Sequence, residues 1–209
     1  MSTTPDPLRE LVAVMDRLRS PGGCPWDAAQ THESLVPYAI EEAHEVAEAV
    51  ETGDRANLRE ELGDLLLQVV FHARIAQEHP DDPWGLDEVA SELTAKLTRR
   101  HPHVFADAVA EDSEHVRAQW EQIKKTEKSR ESVFDGIPAG LGALARAQKV
   151  SSRAARTGVD APTPADDSLG SRLLALVAEA QQQGLDAEGE LRRAARDWES
   201  DLRAAERTA

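Results

Sequence analysis

The sequence predicts an all-α fold, and three observations support this. Aromatic residues make up only 4% of the 209 residues, and the chain is rich in Ala, Leu and Glu, which favour helix over sheet. Apolar residues recur at helical spacing over long segments. β-Branched runs are almost absent from those segments, so no strands are expected.

The first part of the chain predicts three helices. The first ends at the Pro and Gly residues of 20–23, and 24–27 are expected to form an ordered loop. A second helix ends near Gly53, and a third begins at Asp54, a residue that suits an N-cap. Because the turn between them is short, these two helices should form an antiparallel hairpin.

The rest of the chain is predicted to be helical with breaks at Pro and Gly. A helix over 86–100 is expected to stop at Pro102, and a further helix carries Val116, Trp120 and Ile123 before a break at 136–138. A helix over about 141–155 then precedes a linker over 158–170 that is rich in Pro and Asp. Two helices over about 171–182 and 186–206 are expected after the linker.

The charge and cysteine content restrict the class of protein. A formal net charge of −15 argues against a nucleic-acid binder, because phosphate-backbone affinity comes from clustered Lys and Arg. Cys24 is the single cysteine, the first residues carry no secretory pattern, and no apolar run reaches transmembrane length. A cytoplasmic protein without membrane contact is expected.

Two carboxylate pairs occur on the predicted hairpin. Glu42 and Glu45 share one face of the second helix, and so do Glu61 and Asp64 on the third. An antiparallel hairpin brings the two pairs to similar height. The alternative is a solvated acidic surface, which is common, but Asp64 lies in a run of Leu and Val beside a glycine, where an amphipathic helix has little reason for a carboxylate.

The chemistry of four facing carboxylates predicts a bound cation. Such a cluster repels itself or raises its pKa values unless a cation neutralises it. Carboxylate oxygens suit Mg²⁺, with Mn²⁺ as a substitute, and these ions also take phosphate oxygens as ligands. A metal bridge would allow an acidic protein to hold a triphosphate.

Six motifs in consecutive order over about residues 8–150 resemble the MazG nucleotide pyrophosphohydrolases. They are GCPWD at 23–27, QT at 30–31, EEAHE at 41–45, ELGDLL at 61–66, KLTRRHPHVF at 96–105 and WEQIK at 120–124. The resemblance implies an all-α helical bundle that assembles as a homodimer or a dimer of dimers. It also implies metal-dependent hydrolysis of a nucleoside triphosphate to a monophosphate and pyrophosphate, either as housecleaning or to control nucleotide pools.

The resemblance also implies roles for individual residues. Glu42, Glu45, Glu61 and Asp64 would ligate Mg²⁺, with Glu41 beside them as a further catalytic carboxylate. Substrate-binding roles fall on Lys96, Arg100, Trp120 and Lys124, of which the cations would contact phosphates and Trp120 would lie near the nucleotide. The spacing of Lys96 and Arg100 by itself fits a solvated helix face, and Trp120 fits a core anchor equally well.

A shortened second domain is predicted at the end of the chain. The family's longer members carry a second similar domain, and 169–174 repeats the pattern of 62–67 with Ser168 and Ser171 at the positions of Glu61 and Asp64. The predicted organisation is therefore a catalytic domain over 1–135, a connecting helix over 136–158 and a degenerate remnant over 159–209.

Two other functions are compatible with parts of the pattern. Glu41 and His44 match half of the di-iron motif of ferritin-like bundles, but a second Glu-x-x-His is absent. The second alternative is a non-catalytic helical scaffold, but a scaffold would gain nothing from a buried acidic cluster. The sequence leaves open which base and sugar are preferred and whether the physiological substrate is a canonical or an oxidised nucleotide. It also leaves open the number of metal ions.

Overall fold

The computed structural model describes residues 6–106, 131–158 and 166–208. Between 107 and 130 it also describes Ala108, Asp112, His115, Val116, Gln119, Trp120, Ile123 and Glu127. The helices are α1 Pro7–Arg19, α2 Pro25–Ala29, α3 His32–Thr52, α4 Arg55–Ala76, α5 Leu86–Arg100, α6 Pro102–Phe105, α7 Ala143–Thr157, α8 Leu169–Gln182 and α9 Ala187–Glu206. Every regular element in the described part is helical, so the predicted all-α class is confirmed.

The hairpin of α3 and α4 forms because local signals stop one helix and start the next. Gly53 closes α3 with φ 72°, a left-handed conformation that glycine adopts at little cost. Asp54 then caps α4, and its side chain accepts hydrogen bonds from the amides of Ala56 and Asn57. The two helices therefore reverse direction within two residues and pack along their length, as predicted.

The structure differs from the sequence prediction in an added short helix and in an earlier helix start. Residues 25–29 form the short helix α2 instead of a loop, with Pro25 at its first position, where a missing N–H costs nothing. The helix α8 begins at Leu169, inside the predicted linker, because the side chain of Ser168 accepts a hydrogen bond from the amide of Ser171. Residues 159–165 of that linker lie outside the described residues.

The chain divides into two compact units, Met1–Gln122 and Ile123–Ala209. The core of the first unit consists of buried apolar residues from α1, α3 and α4, namely Met15, Leu35, Val70 and Phe71. Full burial of such side chains contributes about 1.5–3 kcal/mol each. The predicted boundary at 135/136 and the description of 159–209 as a remnant stay predictions.

The second unit is fastened at the turn between α8 and α9. The amide group of Gln148 on α7 donates to the carbonyl of Leu185 and accepts from the amide of Ala187. Glu188 accepts from the backbone amide of Ala145 at 3.1 Å. These side-chain bonds attach the first turn of α9 to α7, with Val177 and Ala187 buried.

Many large apolar side chains of the hairpin are exposed. The buried residues of α3 are Leu35 and Ala49. The large exposed apolar side chains of the two helices are Val36, Tyr38, Ile40, Val50, Leu62, Leu66 and Val69. Exposed apolar side chains in this number on one hairpin are typical of an interaction surface.

Candidate metal centre on the helical hairpin

The hairpin brings carboxylates from α3 and α4 together. Side-chain oxygens of Glu42, Glu45 and Glu61 all lie within 4.8 Å of one another. Among the residues that the structure describes, no other group of three His, Cys, Asp or Glu side chains is arranged in this way. Two helices thus supply three hard oxygen ligands to one small volume.

Asp64 lies close enough to the three glutamates to affect them electrostatically. Its charge raises the pKa of Glu42 and also that of Glu61. It lies three residues after Glu61, on the same face of α4. The structure therefore joins the fourth predicted carboxylate to the cluster, although its oxygens fall outside the group defined by the 4.8 Å spacing.

The cluster holds two carboxyl groups whose pKa values are raised. For Glu42 the largest cause is burial, followed by the charges of Asp64 and Glu45 and a hydrogen bond with Glu45. For Glu61 burial is again first, followed by the charges of Glu45 and Asp64. Both carboxyl groups are partly exposed. Crowding of negative charge in a partly desolvated space resists full ionisation without a cation.

This donor set fits a divalent hard cation. The candidate donors are carboxylate oxygens from two packed helices, and partial exposure would leave room for water and phosphate oxygens around a cation. A cation would offset both the burial and the mutual repulsion that raise the two pKa values. Glu41, the remaining predicted catalytic carboxylate, is exposed on α3 next to Glu42.

The predicted cationic residues on α5 have different surroundings. Lys96 is exposed, whereas Arg100 is only 7% exposed. The guanidinium carbon of Arg100 lies 5.2 Å from the ring centroid of Trp120, which is within the range of a cation–π contact. The structure thus pairs two of the predicted substrate-binding residues with each other. Lys124 lies outside the described residues.

A group of aromatic side chains lies one helical turn from the cluster. The ring of Trp26 on α2 meets Tyr38 edge-on at 6.1 Å between centroids and Phe71 at 6.4 Å. Tyr38 lies four residues before Glu42 on the same face of α3. Trp26 therefore packs against the hairpin.

Arg19 links α1 to α2 and to the segment that follows α4. Its guanidinium donates to the carbonyls of Asp27 and Gln30 and forms a two-pronged ion pair with Glu78, with both distances 2.9 Å. Arg74 also bonds Glu78 and reaches Asp16. The two arginines hold the pKa of Glu78 below its usual value, chiefly through the hydrogen bond from Arg19. No sequence signal joins residues so far apart.

Two histidines also meet across the hairpin. The rings of His32 and His72 stack at 5.0 Å with an interplanar angle of 4°, and their Nδ1 atoms are 2.7 Å apart. One Nδ1 atom must donate the hydrogen bond and the other must accept it, so at least one of the two Nδ1 atoms carries no proton. Burial, then the charge of His32, lowers the pKa of His72.

The two serines of the second unit form the capped start of α8. Ser168 is the N-cap of α8 and accepts from the amide of Ser171 at 3.2 Å. Asp166 accepts from the hydroxyl of Ser171 at 2.6 Å, and this carboxyl has a pKa lowered to about 2, with the hydrogen bonds of Ser168 and Ser171 as the main causes. Glu61 and Asp64, by contrast, lie in the middle of α4.

None of the helices in the described residues is long and apolar enough to cross a membrane.

The fold and the acidic hairpin together define an all-helical protein with a candidate metal centre. A family model for the MazG nucleotide pyrophosphohydrolase domain matches residues 30–105, which include the whole cluster. The chain is 49% identical over 95% of its length to an uncharacterized 26.1 kDa protein in the blaB 3′ region of Streptomyces cacaoi and spans 82% of that protein.

A second relative carries a functional name. The chain is 44% identical to the nucleoside triphosphate pyrophosphohydrolase of Escherichia coli strain K12, over 84% of this chain and 68% of that protein. A crystal structure of a mazG-related protein from Thermotoga maritima is 32% identical, with a TM-score of 0.47 over 56% of this chain and 98% of that one. The chain belongs to the MazG nucleotide pyrophosphohydrolase family, which confirms the resemblance seen in its six motifs.

Proposed function

We propose that this chain hydrolyses a nucleoside triphosphate at the α-phosphorus and releases a monophosphate and pyrophosphate. The observation that carries the proposal is the group of Glu42, Glu45 and Glu61 oxygens within 4.8 Å of one another. It lies inside the segment matched by the family model. Relatives over most of the chain are named nucleoside triphosphate pyrophosphohydrolases.

Glu42, Glu45, Glu61 and Asp64 would hold Mg²⁺, or Mn²⁺ in its place. The bound ion would supply charge neutralisation for phosphate oxygens and a lowered pKa for a bound water. The raised pKa values of Glu42 and Glu61 support the proposal, because such carboxylates gain most from a nearby cation. The ion also allows a chain of net charge −15 to accept an anionic substrate.

The chemical step needs a proton acceptor and a leaving-group site. A water oxygen bonds to the α-phosphorus, the bond from that phosphorus to the bridging oxygen breaks, and pyrophosphate departs with the electron pair. The proton of the water passes to a carboxylate of the cluster, which would act as the general base. We assign Glu41, beside Glu42, a supporting role in this proton transfer.

Cationic side chains would bind the phosphates and offset the charge on pyrophosphate. We assign this role to Lys96, Arg100 and Lys124, of which Lys96 is exposed on α5. Arg100 lies against the ring of Trp120, so one contact would place both the cation and the aromatic ring near the nucleotide. The sequence has no Walker-type glycine loop for transfer of the γ-phosphate.

The exposed apolar face of α3 and α4 supports assembly into a homodimer. Six large aliphatic side chains on this face remain exposed in the single chain: Val36, Ile40, Val50, Leu62, Leu66 and Val69. A self-complementary patch on a helical hairpin is suited to a two-fold interface. The cytoplasmic location expected from the sequence stays a prediction.

The test is metal-dependent release of pyrophosphate from a panel of canonical, deoxy and oxidised nucleoside triphosphates. We expect no turnover in a chelator and turnover that rises with added Mg²⁺. A panel in which no triphosphate yields pyrophosphate with either Mg²⁺ or Mn²⁺ would overturn the proposal. An iron-dependent absorbance in the purified protein would instead favour the di-metal oxidase.

A further inference from the structure

The histidine pair of the hairpin is a group of metal-ligating side chains outside the acidic cluster. His32 is the first residue of α3, and His72 lies near the end of α4. Because the two helices run antiparallel, these residues meet at the open end of the hairpin, away from the turn at Gly53. The distance along α3 from His32 to Glu42 is roughly 15 Å at 1.5 Å per residue. The pair is therefore separate from the carboxylates.

The two rings direct the same type of nitrogen at each other. Their Nδ1 atoms are 2.7 Å apart, which is within hydrogen-bond distance. One Nδ1 donates its proton and the lone pair of the other accepts it. A single proton therefore lies between two imidazole nitrogens that come from different helices, and an unprotonated imidazole nitrogen is the commonest metal ligand in proteins.

Both nitrogens can offer a lone pair to a metal near neutral pH. Burial lowers the pKa of His72, and the charge of His32 lowers it further. A lowered pKa favours the neutral imidazole, which is the form that binds metals. The ring that donates in the metal-free pair can adopt its other neutral tautomer, with the proton on Nε2. No proton then has to leave the neutral pair for an ion to enter.

Two imidazole nitrogens favour a transition metal over Mg²⁺. Zn²⁺, Cu²⁺ and Ni²⁺ bind well to imidazole, whereas Mg²⁺ prefers oxygen ligands. Zn–N bonds of about 2.0–2.1 Å at a tetrahedral angle place two ligating nitrogens roughly 3.4 Å apart. The pair has to open by less than about 1 Å to reach that separation. His32 is exposed at the start of its helix, so its ring has room to move.

We propose that His32 and His72 bind a Zn²⁺ ion, or Cu²⁺ or Ni²⁺ in its place, through their Nδ1 atoms. Within the described part of the chain, no third His, Cys, Asp or Glu joins them at the 4.8 Å spacing of the acidic cluster. Water therefore fills the other coordination positions, and the site is open to solvent. The ion links the first turn of α3 to the end of α4. This inference does not rest on the proposed function, because its readout is metal binding and not pyrophosphate release.

The first test is calorimetric titration of the full-length chain with Zn²⁺ in excess Mg²⁺, which occupies carboxylate ligands. His32→Gln and His72→Gln each remove one ligand, and His115→Gln removes an exposed imidazole elsewhere as a control. We expect the two pair variants to lose at least about tenfold in Zn²⁺ affinity, since even outer-shell partners are typically worth that much. The control should bind like the wild type. Equal Zn²⁺ binding by all four proteins would indicate an adventitious ion only and overturn the proposal.

Electron paramagnetic resonance with Cu²⁺ identifies the ligands directly. The wild type should show hyperfine coupling to two imidazole nitrogens, and His32→Gln should lose the two-nitrogen pattern. This exposed position keeps the test decisive should the partly buried His72→Gln fold poorly, and circular dichroism checks the fold of each variant. Mg²⁺-dependent pyrophosphate release should be unchanged in His32→Gln. A wild type without two-nitrogen coupling, or the same spectrum in His32→Gln, would show that the pair is a hydrogen bond and not a metal site.

Discussion

The helices α4 and α8 carry similar apolar patterns but use their polar residues differently. Residues 62–67 read LGDLLL and residues 169–174 read LGSRLL. In α4, Glu61 and Asp64 lie mid-helix, where the backbone amides are already bonded, and they face the carboxylates of α3. In α8, Ser168 and Ser171 lie at the helix start. The hydroxyl of Ser168 accepts from the amide of Ser171, and the hydroxyl of Ser171 donates to the carboxylate of Asp166.

The difference shows why similar sequence patterns give a candidate site in one unit and a cap in the other. A cap fulfils the hydrogen-bonding needs of its own helix. Four mid-helix carboxylates have no such outlet, and burial together with their mutual repulsion raises the pKa values of Glu42 and Glu61. An uncompensated acidic cluster is costly to keep, so a functional cation is its best physical explanation.

The largest expected effect is on activity. Alanine at Glu42, Glu45, Glu61 or Asp64 should lower turnover by roughly 10²–10³-fold, since metal-assisted catalysis is worth several kcal/mol of transition-state stabilisation. The control is Glu48→Ala, at an exposed position of α3, which should keep wild-type activity. Near-normal pyrophosphate release by any two cluster variants would show that the acidic cluster of α3 and α4 is not the catalytic site.

A smaller effect is expected on the stability of the metal-free protein. The folded-state pKa of Glu61 is raised above 4.5, so ionisation of this group destabilises the fold, and stability falls as the pH rises through that raised value. Glu61→Gln should therefore raise the melting temperature in a chelator at neutral pH and flatten its pH dependence above about pH 4.5. Scanning calorimetry is the measurement.

Added Mg²⁺ should reverse the order of the melting temperatures of the wild type and Glu61→Gln. The wild type should gain more in melting temperature than Glu61→Gln, because the variant has lost a ligand. A variant that is less stable than the wild type without metal would show that repulsion in the cluster is absent.

The smallest effect is expected in the second unit. Ser168→Ala removes the N-cap of α8 and should cost about 0.5–2 kcal/mol of local stability without loss of activity. Ionised Asp166 contributes to the same cap above pH 3.8, and this contribution is lost as the pH falls through about 2. Hydrogen exchange of the first α8 amides reports the change, and reduced pyrophosphate release from this variant would contradict the assignment of the serine to a cap.

Features that depend on neighbouring residues were predictable from sequence. Gly53 and Asp54 mark the hairpin turn, and Pro102 marks the end of α5, because caps and proline act within one turn. The acidic cluster was predictable for the same reason, since helical period and one short turn fix the relative positions of its members.

Long-range and marginal features were not predictable. The ion pair of Arg19 with Glu78 joins residues 59 positions apart, and no periodicity signals it. The five-residue helix α2 is too short for a periodic pattern. The burial of Arg100 against Trp120 depends on where the chain returns after α6, and a Lys-to-Arg spacing of four residues fits a solvated face equally well.

The most direct test of the central claim is the identity of the labelled product after hydrolysis in ¹⁸O-water. With a nucleoside triphosphate and Mg²⁺, products separated by anion exchange should be a monophosphate carrying the label and unlabelled pyrophosphate, because water attacks the α-phosphorus. Label in the pyrophosphate, or a diphosphate with labelled orthophosphate as the first products, would contradict the account even if every carboxylate of the cluster proved essential.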